Sequence, residues 1–187
     1  MSTVAVLPRN HVYAFAALHH HGQKRKYTGE PYFTHCVAVA NMADGKCRFG
    51  YEIALCHDLF EDTNCSHKEL QDALIRFGYF RNEAEYIVDC VVQLTDIYTS
   101  EDFPEVNRAK RKELESNRLH KIGYEAQTVK YCDLIHNTES IVKYDKGFAV
   151  KYLAEKATIL KGMNKGNPAM YAKCKRVLKK AQKTILN

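Results

Sequence analysis

The sequence lacks any apolar run approaching the ~18 residues that a membrane-spanning helix needs. Its first residues, MSTVAVLPRNH, do not combine a basic segment with the apolar segment of a secretory signal peptide. It also has no CxxC pair, and its seven cysteines are widely spaced. We therefore expect reduced thiols, with neither a disulfide framework nor a zinc ribbon. Together these absences predict a cytoplasmic protein without a membrane segment.

Runs of alternating β-branched residues, internal repeats and low-complexity segments are missing as well. Apolar residues recur at helical spacing, which predicts an all-α bundle of roughly nine helices. Ser66 with Glu69, and Asn82 with Glu85, have the spacing of capping boxes. The predicted helices cover residues 11–21, 31–43, 51–61, 66–78, 82–94, 104–122, 125–143, 148–161 and 168–186. We expect one domain over 1–187, with its core motifs in 17–137 and basic C-terminal helices in 148–187.

The net charge of +6 is concentrated towards the end of the sequence. Residues 161–187 contain eight Lys or Arg and no Asp or Glu. A solvated helix face and a surface for a phosphate-rich or acidic partner both fit this pattern. No aromatic-rich RNA-binding signature accompanies it. We do not expect nucleic acid as the main partner, because a nucleotide ligand fits the basic balance equally well.

Residues 54–63, ALCHDLFEDT, place four chemically active side chains in otherwise apolar sequence: His57, Asp58, Glu61 and Asp62. On a continuous helix His57 faces Glu61 one turn away, and Asp58 faces Asp62. His57 and Asp58 are about 100° apart around such a helix. Carboxylates in an apolar setting are costly unless a cation compensates them, and a divalent metal does so directly. A surface histidine beside a capping or exposed aspartate is the alternative.

Two further residues have a suitable context for a metal site. His35 lies among apolar residues of the second predicted helix, where a core histidine is the alternative. Asp133 lies in an apolar helix, where a salt bridge to a neighbouring Lys or Arg is the alternative. With His57 and Asp58 they offer two imidazoles and two carboxylates. That donor set suits Mn²⁺, Fe²⁺ or another transition metal better than Ca²⁺.

Three motifs in order, GEPYFTH, CHDLFEDT and YCDLIHNT, resemble those of the HD-domain superfamily. Within it they are similar to the hydrolase domain of the RelA/SpoT homologues. The resemblance covers about residues 17–137. Because the chain is too short for the synthetase and regulatory domains of long members, it resembles a stand-alone small alarmone hydrolase, the class that includes metazoan SpoT homologues. The resemblance implies Mn²⁺-dependent removal of the 3′-diphosphate from guanosine tetra- or pentaphosphate, giving GDP or GTP and pyrophosphate.

Carried over position by position, the resemblance also implies roles for individual residues. The implied metal ligands are His35, His57, Asp58 and Asp133. The implied catalytic carboxylates are Glu61 and Asp62. The implied substrate contacts are Arg25, Lys26, Thr95 and Asn137. Two further substrate contacts are predicted from charge: Lys24, in the same basic loop, and Lys112, on a charged helix where a solvated face is the alternative. An exposed basic loop stays the alternative for residues 24–26, and packing or helix capping stays the alternative for Thr95.

One departure from the family pattern concerns charge at the edge of the site. Leu134 follows Asp133 where the family usually carries Arg or Lys. The candidates to replace that charge are Lys24, Arg111 and Lys112. The departure puts substrate preference in question.

Two other functions remain open at the level of sequence. Similar proteins act on other nucleotides that carry 2′ or 3′ phosphates, including NADPH and adenosine alarmones. The basic C-terminal helix also suits an antitoxin-type role as partner of a toxic small alarmone synthetase.

Overall fold

The computed structural model describes residues 7–186. Within this range the chain forms ten α-helices and no strand, and Lys24 and Pro31 form an isolated β-bridge. The helices are α1 (Pro8–His19), α2 (Phe33–Ala43), α3 (Gly50–Cys56), α4 (Leu59–Asp62), α5 (His67–Arg76), α6 (Arg81–Leu94), α7 (Arg108–Leu119), α8 (Tyr124–Tyr144), α9 (Lys146–Gly162) and α10 (Pro168–Leu186). The predicted all-α class is confirmed. The first six residues, on which the signal-peptide expectation partly rests, lie outside the described range.

Helix α8 is the central element of the bundle. It packs against α2, α3, α6, α9 and α10. Most of its residues between 126 and 135 are buried, including the polar Gln127, Thr128 and Asp133, so this segment is enclosed on nearly all sides by its neighbours. Its largest buried side chain, Tyr131, donates a hydrogen bond from its hydroxyl to the carbonyl oxygen of Met163 at 2.8 Å. Asp133 is therefore held on the most enclosed helix of the bundle.

The predicted helix over residues 51–61 is interrupted, which is why ten helices are found rather than about nine. Helix α3 ends at Cys56 and α4 begins at Leu59. Asp58 lies between them with φ −102° and ψ 2°, in the bridge region where functional residues are common. Its carbonyl oxygen accepts a hydrogen bond from Asp62 N at 2.9 Å. His57 and Asp58 thus occupy a turn, and the continuous helix expected there is wrong.

Neither predicted capping box is found as predicted: one is only half formed, and the other lies two residues earlier in the sequence. At α5, Ser66 Oγ accepts from Glu69 N at 3.1 Å, but the Glu69 carboxylate turns to His19 instead of Ser66 N. At α6, Glu83 accepts a hydrogen bond from Phe80 N at 3.1 Å, so the helix begins before Asn82. Helix α7 begins later than predicted because Asn107 caps it.

The remaining expectations from composition concern thiols and membranes. All seven cysteines are free thiols, and six of them are buried. Among the helices described for residues 7–186, none combines the length and apolar character that crossing a bilayer requires.

Candidate metal centre

Four side chains from α2, the α3–α4 turn and α8 converge in the bundle, and we call them the acid–imidazole cluster: His35, His57, Asp58 and Asp133. One donor atom each from His35, His57 and Asp58 lies within 4.8 Å of the other two. The Asp133 Oδ1 atom lies 3.3 Å from His35 Nε2 and 4.0 Å from His57 Nε2. The structure therefore brings together all four residues that the resemblance implies as ligands.

The His57 side chain is fixed by its own turn of backbone. Its Nδ1 lies 2.7 Å from the carbonyl oxygen of Ala54, which only accepts, so Nδ1 carries the proton and donates. The neutral ring then has its lone pair on Nε2. The buried Nε2 lies 3.0 Å from Asp58 Oδ2, the distance of an ion pair when the ring is protonated. When the ring is neutral, its Nε2 lone pair faces the carboxylates, an arrangement that fits a divalent cation.

The second imidazole, His35, is oriented by another histidine. His35 Nδ1 and His136 Nδ1 are 2.8 Å apart, so one donates to the other. Burial, and then the charge of His35, lowers the pKa of His136 to about 4, so at neutral pH His136 is uncharged and can accept. When His35 Nδ1 is the donor, its Nε2 lone pair faces Asp133. The contact with His136 therefore orients the ring of His35.

Charges within the cluster outweigh the penalty of burial. Burial opposes the charged form of His57, but the carboxylate of Asp58 raises the pKa of His57 to about 9. Burial likewise opposes charge on Asp58, yet His57 holds the pKa of that carboxyl well below its usual value. The pKa of Asp133 is also held low, against burial, chiefly by Lys130. The cluster therefore favours positive charge between its carboxylates, which a proton or a metal cation supplies.

Glu61 and Asp62 lie at the exposed rim of the cluster on α4. Glu61 Oε2 accepts a hydrogen bond from Asp96 N at 3.3 Å. Partial burial and the charge of Asp96 raise the pKa of Glu61 to about 7, although solvent at the rim screens part of this effect. Burial and the charge of Asp58 also raise the pKa of Asp62. Both carboxylates can exchange protons closer to neutral pH than ordinary acids do.

Sequence reasoning missed two residues that contact the cluster. Lys130 Nζ lies 3.1 Å from Asp133 Oδ2, and only 13% of its side chain is exposed. Asp133 therefore forms the salt bridge considered as its alternative, while its other oxygen faces His35. Tyr32, which belongs to the GEPYFTH motif, donates a hydrogen bond from its hydroxyl to Asp58 Oδ2 at 2.7 Å. The spacing of Lys130 three residues before Asp133 was the available signal for the first contact.

Three residues were considered as replacements for the positive charge that is missing at position 134, and the structure separates them. Leu134 itself is buried, with 1% exposed. Arg111 donates hydrogen bonds to the carbonyl oxygens of Phe103 and Val106. Lys24 is exposed, whereas Lys112 Nζ lies 3.4 Å from Asp96 Oδ2. Because Asp96 also bonds Glu61, Lys112 is the candidate that is connected to the rim of the cluster.

The predicted substrate contacts divide into two groups. Asn137 Nδ2 donates to Asp133 Oδ1 at 2.5 Å, and its oxygen lies 3.4 Å from two guanidinium nitrogens of Arg25. These two residues therefore adjoin the cluster. By contrast, Lys26 is exposed, with its ammonium 5.1 Å from the Tyr27 ring centroid. Thr95 Oγ1 bonds the carbonyl oxygen of Val91 at 3.0 Å, the contact expected of a capping residue. Neither Lys26 nor Thr95 contacts the cluster.

Comparisons with known proteins bear on the fold. No protein-family model matches the chain, and no curated protein matches it. Thirteen chains of solved structures match. One is a metazoan ortholog of SpoT that hydrolyzes ppGpp and plays a role in starvation responses. It has a TM-score of 0.75 and 18% identity, and the match covers 96% of this chain and 98% of that one. This chain therefore shares the all-α fold of that SpoT ortholog.

Proposed function

We propose that this protein is a metal-dependent phosphohydrolase acting on guanosine tetra- or pentaphosphate. Water adds to the phosphorus that is attached to the ribose 3′ oxygen, and the bond between that phosphorus and the 3′ oxygen breaks. The 3′ oxygen takes up a proton, which gives pyrophosphate and GDP or GTP. The observation that carries the proposal is the convergence of His35, His57, Asp58 and Asp133 in the bundle, with the buried Nε2 of His57 facing both carboxylates. The fold shared with a ppGpp hydrolase supports the choice of substrate.

His35 and His57 would bind the cation through Nε2, and Asp58 and Asp133 through carboxylate oxygens. This mixed donor set suits Mn²⁺, the metal that the resemblance implies, and admits another divalent transition metal. When bound, such a cation supplies Lewis-acid polarisation of a phosphoryl oxygen and makes nearby water more acidic. In this proposal Ala54 accepts from His57 Nδ1 and His136 accepts from His35 Nδ1, which leaves both Nε2 lone pairs for the cation.

Glu61 is the proposed general base. With a pKa raised to about 7, its carboxylate at neutral pH is partly deprotonated and more basic than an ordinary glutamate. Proton transfer by such a group typically contributes ~10²–10⁴-fold to a rate. The hydrogen bond from Asp96 N holds Glu61 in place. Asp62 would add negative charge beside the cationic centre and orient water.

The substrate would lie in a cavity beside His136. Its volume is about 310 Å³, and its lining includes Arg25, His136, Lys143 and Tyr144. This volume is at the lower end of the ~300–1,000 Å³ typical of small-ligand pockets. Arg25 and Lys143 supply positive charge for phosphate groups beside the acidic Glu30 and Glu139, and the exposed ring of Tyr144 supplies a stacking surface for a base. None of the four cluster residues lines this cavity, so in the proposal the 3′-diphosphate extends from it past Asn137, which hydrogen-bonds Asp133.

The other predicted substrate contacts keep more distant roles in the proposal. Lys24 and Lys26 are exposed beside Arg25 and would attract the anionic substrate from solution. Lys112, through its pairing with Asp96, would offer charge to the diphosphate that is not cleaved. The hydrogen bond from Thr95 Oγ1 to the carbonyl oxygen of Val91 explains the position of that side chain, and we propose no substrate contact for it.

The experiment is a substrate panel with chelator-treated protein. Guanosine tetraphosphate, NADPH and a 3′-diphosphorylated adenosine nucleotide are incubated with and without Mn²⁺, and products are separated by ion-exchange chromatography. We expect GDP and pyrophosphate only with the metal. His57→Ala should abolish turnover, whereas His21→Ala, an exposed histidine beyond α1, should not. Hydrolysis that survives chelation, or a preference for NADPH, would refute the proposal.

The hydrolase proposal and an antitoxin-type role predict different results in cells. If the protein acts by hydrolysis, its co-expression with a toxic small alarmone synthetase should restore growth only when the cluster is intact. Rescue by a protein in which His57 and Asp58 are both replaced by Ala would instead mean that binding is sufficient.

A further inference from the structure

A second group of metal-binding side chains lies outside the acid–imidazole cluster, where the end of α1 meets the start of α5. We call it the α1–α5 triad: His19, Cys65 and Glu69. One donor atom from each lies within 4.8 Å of the other two. His19 is the last residue of α1, Cys65 precedes the cap of α5, and Glu69 is in its first turn. The triad thus joins one imidazole, one thiol and one carboxylate from two separate parts of the chain.

The spacing of these donors is close to what a tetrahedral zinc ion requires. Bond lengths of about 2.0–2.3 Å to N, O and S place neighbouring ligand atoms ~3.3–3.6 Å apart. His19 Nε2 and Glu69 Oε1 are already 3.5 Å apart. The remaining separations, both to the sulfur, need to shorten by about 1.3 Å at most. The Glu69 side chain is 46% exposed and can move to meet them.

The position of the Glu69 carboxylate is unusual for its place in the helix. At the start of α6, the equivalent Glu83 accepts a hydrogen bond from Phe80 N, as a capping glutamate does. Glu69 follows Ser66 at the same spacing, and Ser66 Oγ accepts from its backbone nitrogen. Yet the Glu69 carboxylate turns away from the cap towards His19. The local helix signal therefore does not explain where this carboxylate lies.

The other two donors are held by packing. The His19 ring packs against Phe15 with ring centroids 4.4 Å apart. Cys65 is 5% exposed, and its thiol makes one weak contact, 3.7 Å from the carbonyl oxygen of Ser66. His19 also lines a polar cavity of about 350 Å³ together with Gln23, Glu61 and Asp62. Water in that cavity can reach the triad and complete a fourth coordination position.

We propose that His19, Cys65 and Glu69 form a second metal site, selective for a borderline-soft divalent ion such as Zn²⁺. A thiolate ligand favours Zn²⁺ or Co²⁺ over Mn²⁺, whereas the acid–imidazole cluster has no sulfur donor. Burial raises the pKa of the Cys65 thiol to about 12, so the bound ion must displace its proton. A bound ion would link α1 to the segment after Asp62. The site is independent of the proposed hydrolase function.

Cobalt(II) provides a direct test, because a cobalt–thiolate bond gives a near-ultraviolet charge-transfer band that nitrogen and oxygen ligands do not. The full-length chain is titrated with Co²⁺ under reducing conditions, and zinc affinity is measured by competition with a chromophoric chelator. The same titration is run on the His57→Ala, Asp58→Asn double variant, which lacks the first site. Variants Cys65→Ser, His19→Ala and Glu69→Gln test the triad, and Cys47→Ser is the matched control for a thiol elsewhere.

We expect one band-forming site per chain in the unmodified protein, in Cys47→Ser and in the double variant. Cys65→Ser should lose the band, and His19→Ala and Glu69→Gln should weaken zinc binding at least tenfold while the protein stays folded. Absence of the band, its persistence in Cys65→Ser, or its loss in the double variant would overturn the assignment. Because hydrolysis is not part of the readout, failure of the proposed function leaves this result unaffected.

Discussion

Lys130→Met is the substitution that tests the electrostatics of the candidate centre most directly. The ammonium of Lys130 is buried beside Asp133, and the charges of Asp133, Asp96 and Glu61 raise its pKa although burial opposes it. Met has a similar length and no charge, so the change removes the cation with little change in packing. It leaves Asp133 buried with less positive charge around it.

The expected loss in stability is large. Removing one partner of a buried ion pair typically costs ~3–5 kcal/mol, and both partners here are well enclosed, with 13% and 8% of their side chains exposed. Against a total unfolding free energy of about 5–15 kcal/mol, the variant should fold but unfold at a clearly lower urea concentration. A divalent cation in the acid–imidazole cluster would compensate the same carboxylates. Mn²⁺ should therefore stabilise Lys130→Met more than it stabilises the unmodified protein.

The assay is urea unfolding, with EDTA and with Mn²⁺, on four proteins. Besides the unmodified chain and Lys130→Met, it includes Lys130→Met with Asp133→Asn, in which the uncompensated charge is also removed. The double variant should be more stable than the single one in EDTA. The matched control is Lys68→Met, which removes an exposed lysine paired with Asp72 and should change little. If Lys130→Met is as stable as the control, or gains nothing extra from Mn²⁺, the charge balance described for this site is wrong.

Three further outcomes follow from the structure. If Glu61 is the base, activity should rise with pH as its carboxyl loses its proton. The rise should come below or near pH 7, because a bound cation lowers the pKa of Glu61. Glu61→Gln should lose ~10²–10⁴-fold in kcat, and a rate that falls from pH 6 to 8 would contradict the assignment. Ser66→Ala should cost about 0.5–2 kcal/mol in thermal unfolding through the lost cap of α5, whereas Ser100→Ala, on an exposed loop residue, should not. Leu134→Lys, which introduces the charge found at this position in the motif pattern that the sequence resembles, should destabilise by roughly 3 kcal/mol or more because the position is buried; a stable and more active variant would show that the side chain can reach the cluster.

The long elements of the fold were predictable because their signals are local. The last helix was predicted at residues 168–186 and is found as Pro168–Leu186. The errors lie where tertiary contacts compete with local signals. The spacing within ALCHDLFEDT favours one helix, but the chain turns at His57–Asp58, and no residue there is a helix breaker. Likewise Glu69 has the spacing of a capping glutamate, yet it lies against His19, which comes from fifty residues earlier in the sequence.

For the site, sequence motifs indicated which residues would meet, but not what would surround them. His35, His57, Asp58 and Asp133 do converge, and their role as ligands stays a proposal. Lys130 was missed because a lysine one turn from an aspartate usually lies on a solvated helix face. Its burial depends on α8 being enclosed by five other helices, which local spacing does not reveal.

The two imidazoles of the cluster depend on the fold to different degrees, and this links metal binding to packing. His57 is oriented by Ala54, three residues earlier in the same turn, so its tautomer survives as long as α3 does. His35 on α2 is oriented by His136 on α8, so its tautomer requires those two helices to stay packed together. Asp133 shares that requirement, because it also reaches His35 from α8. A cation bound by all four residues would therefore oppose separation of α2 from α8. Amides at the α2–α8 contact should exchange more slowly with solvent when Mn²⁺ is present, and those of α10 far from the cluster should change less.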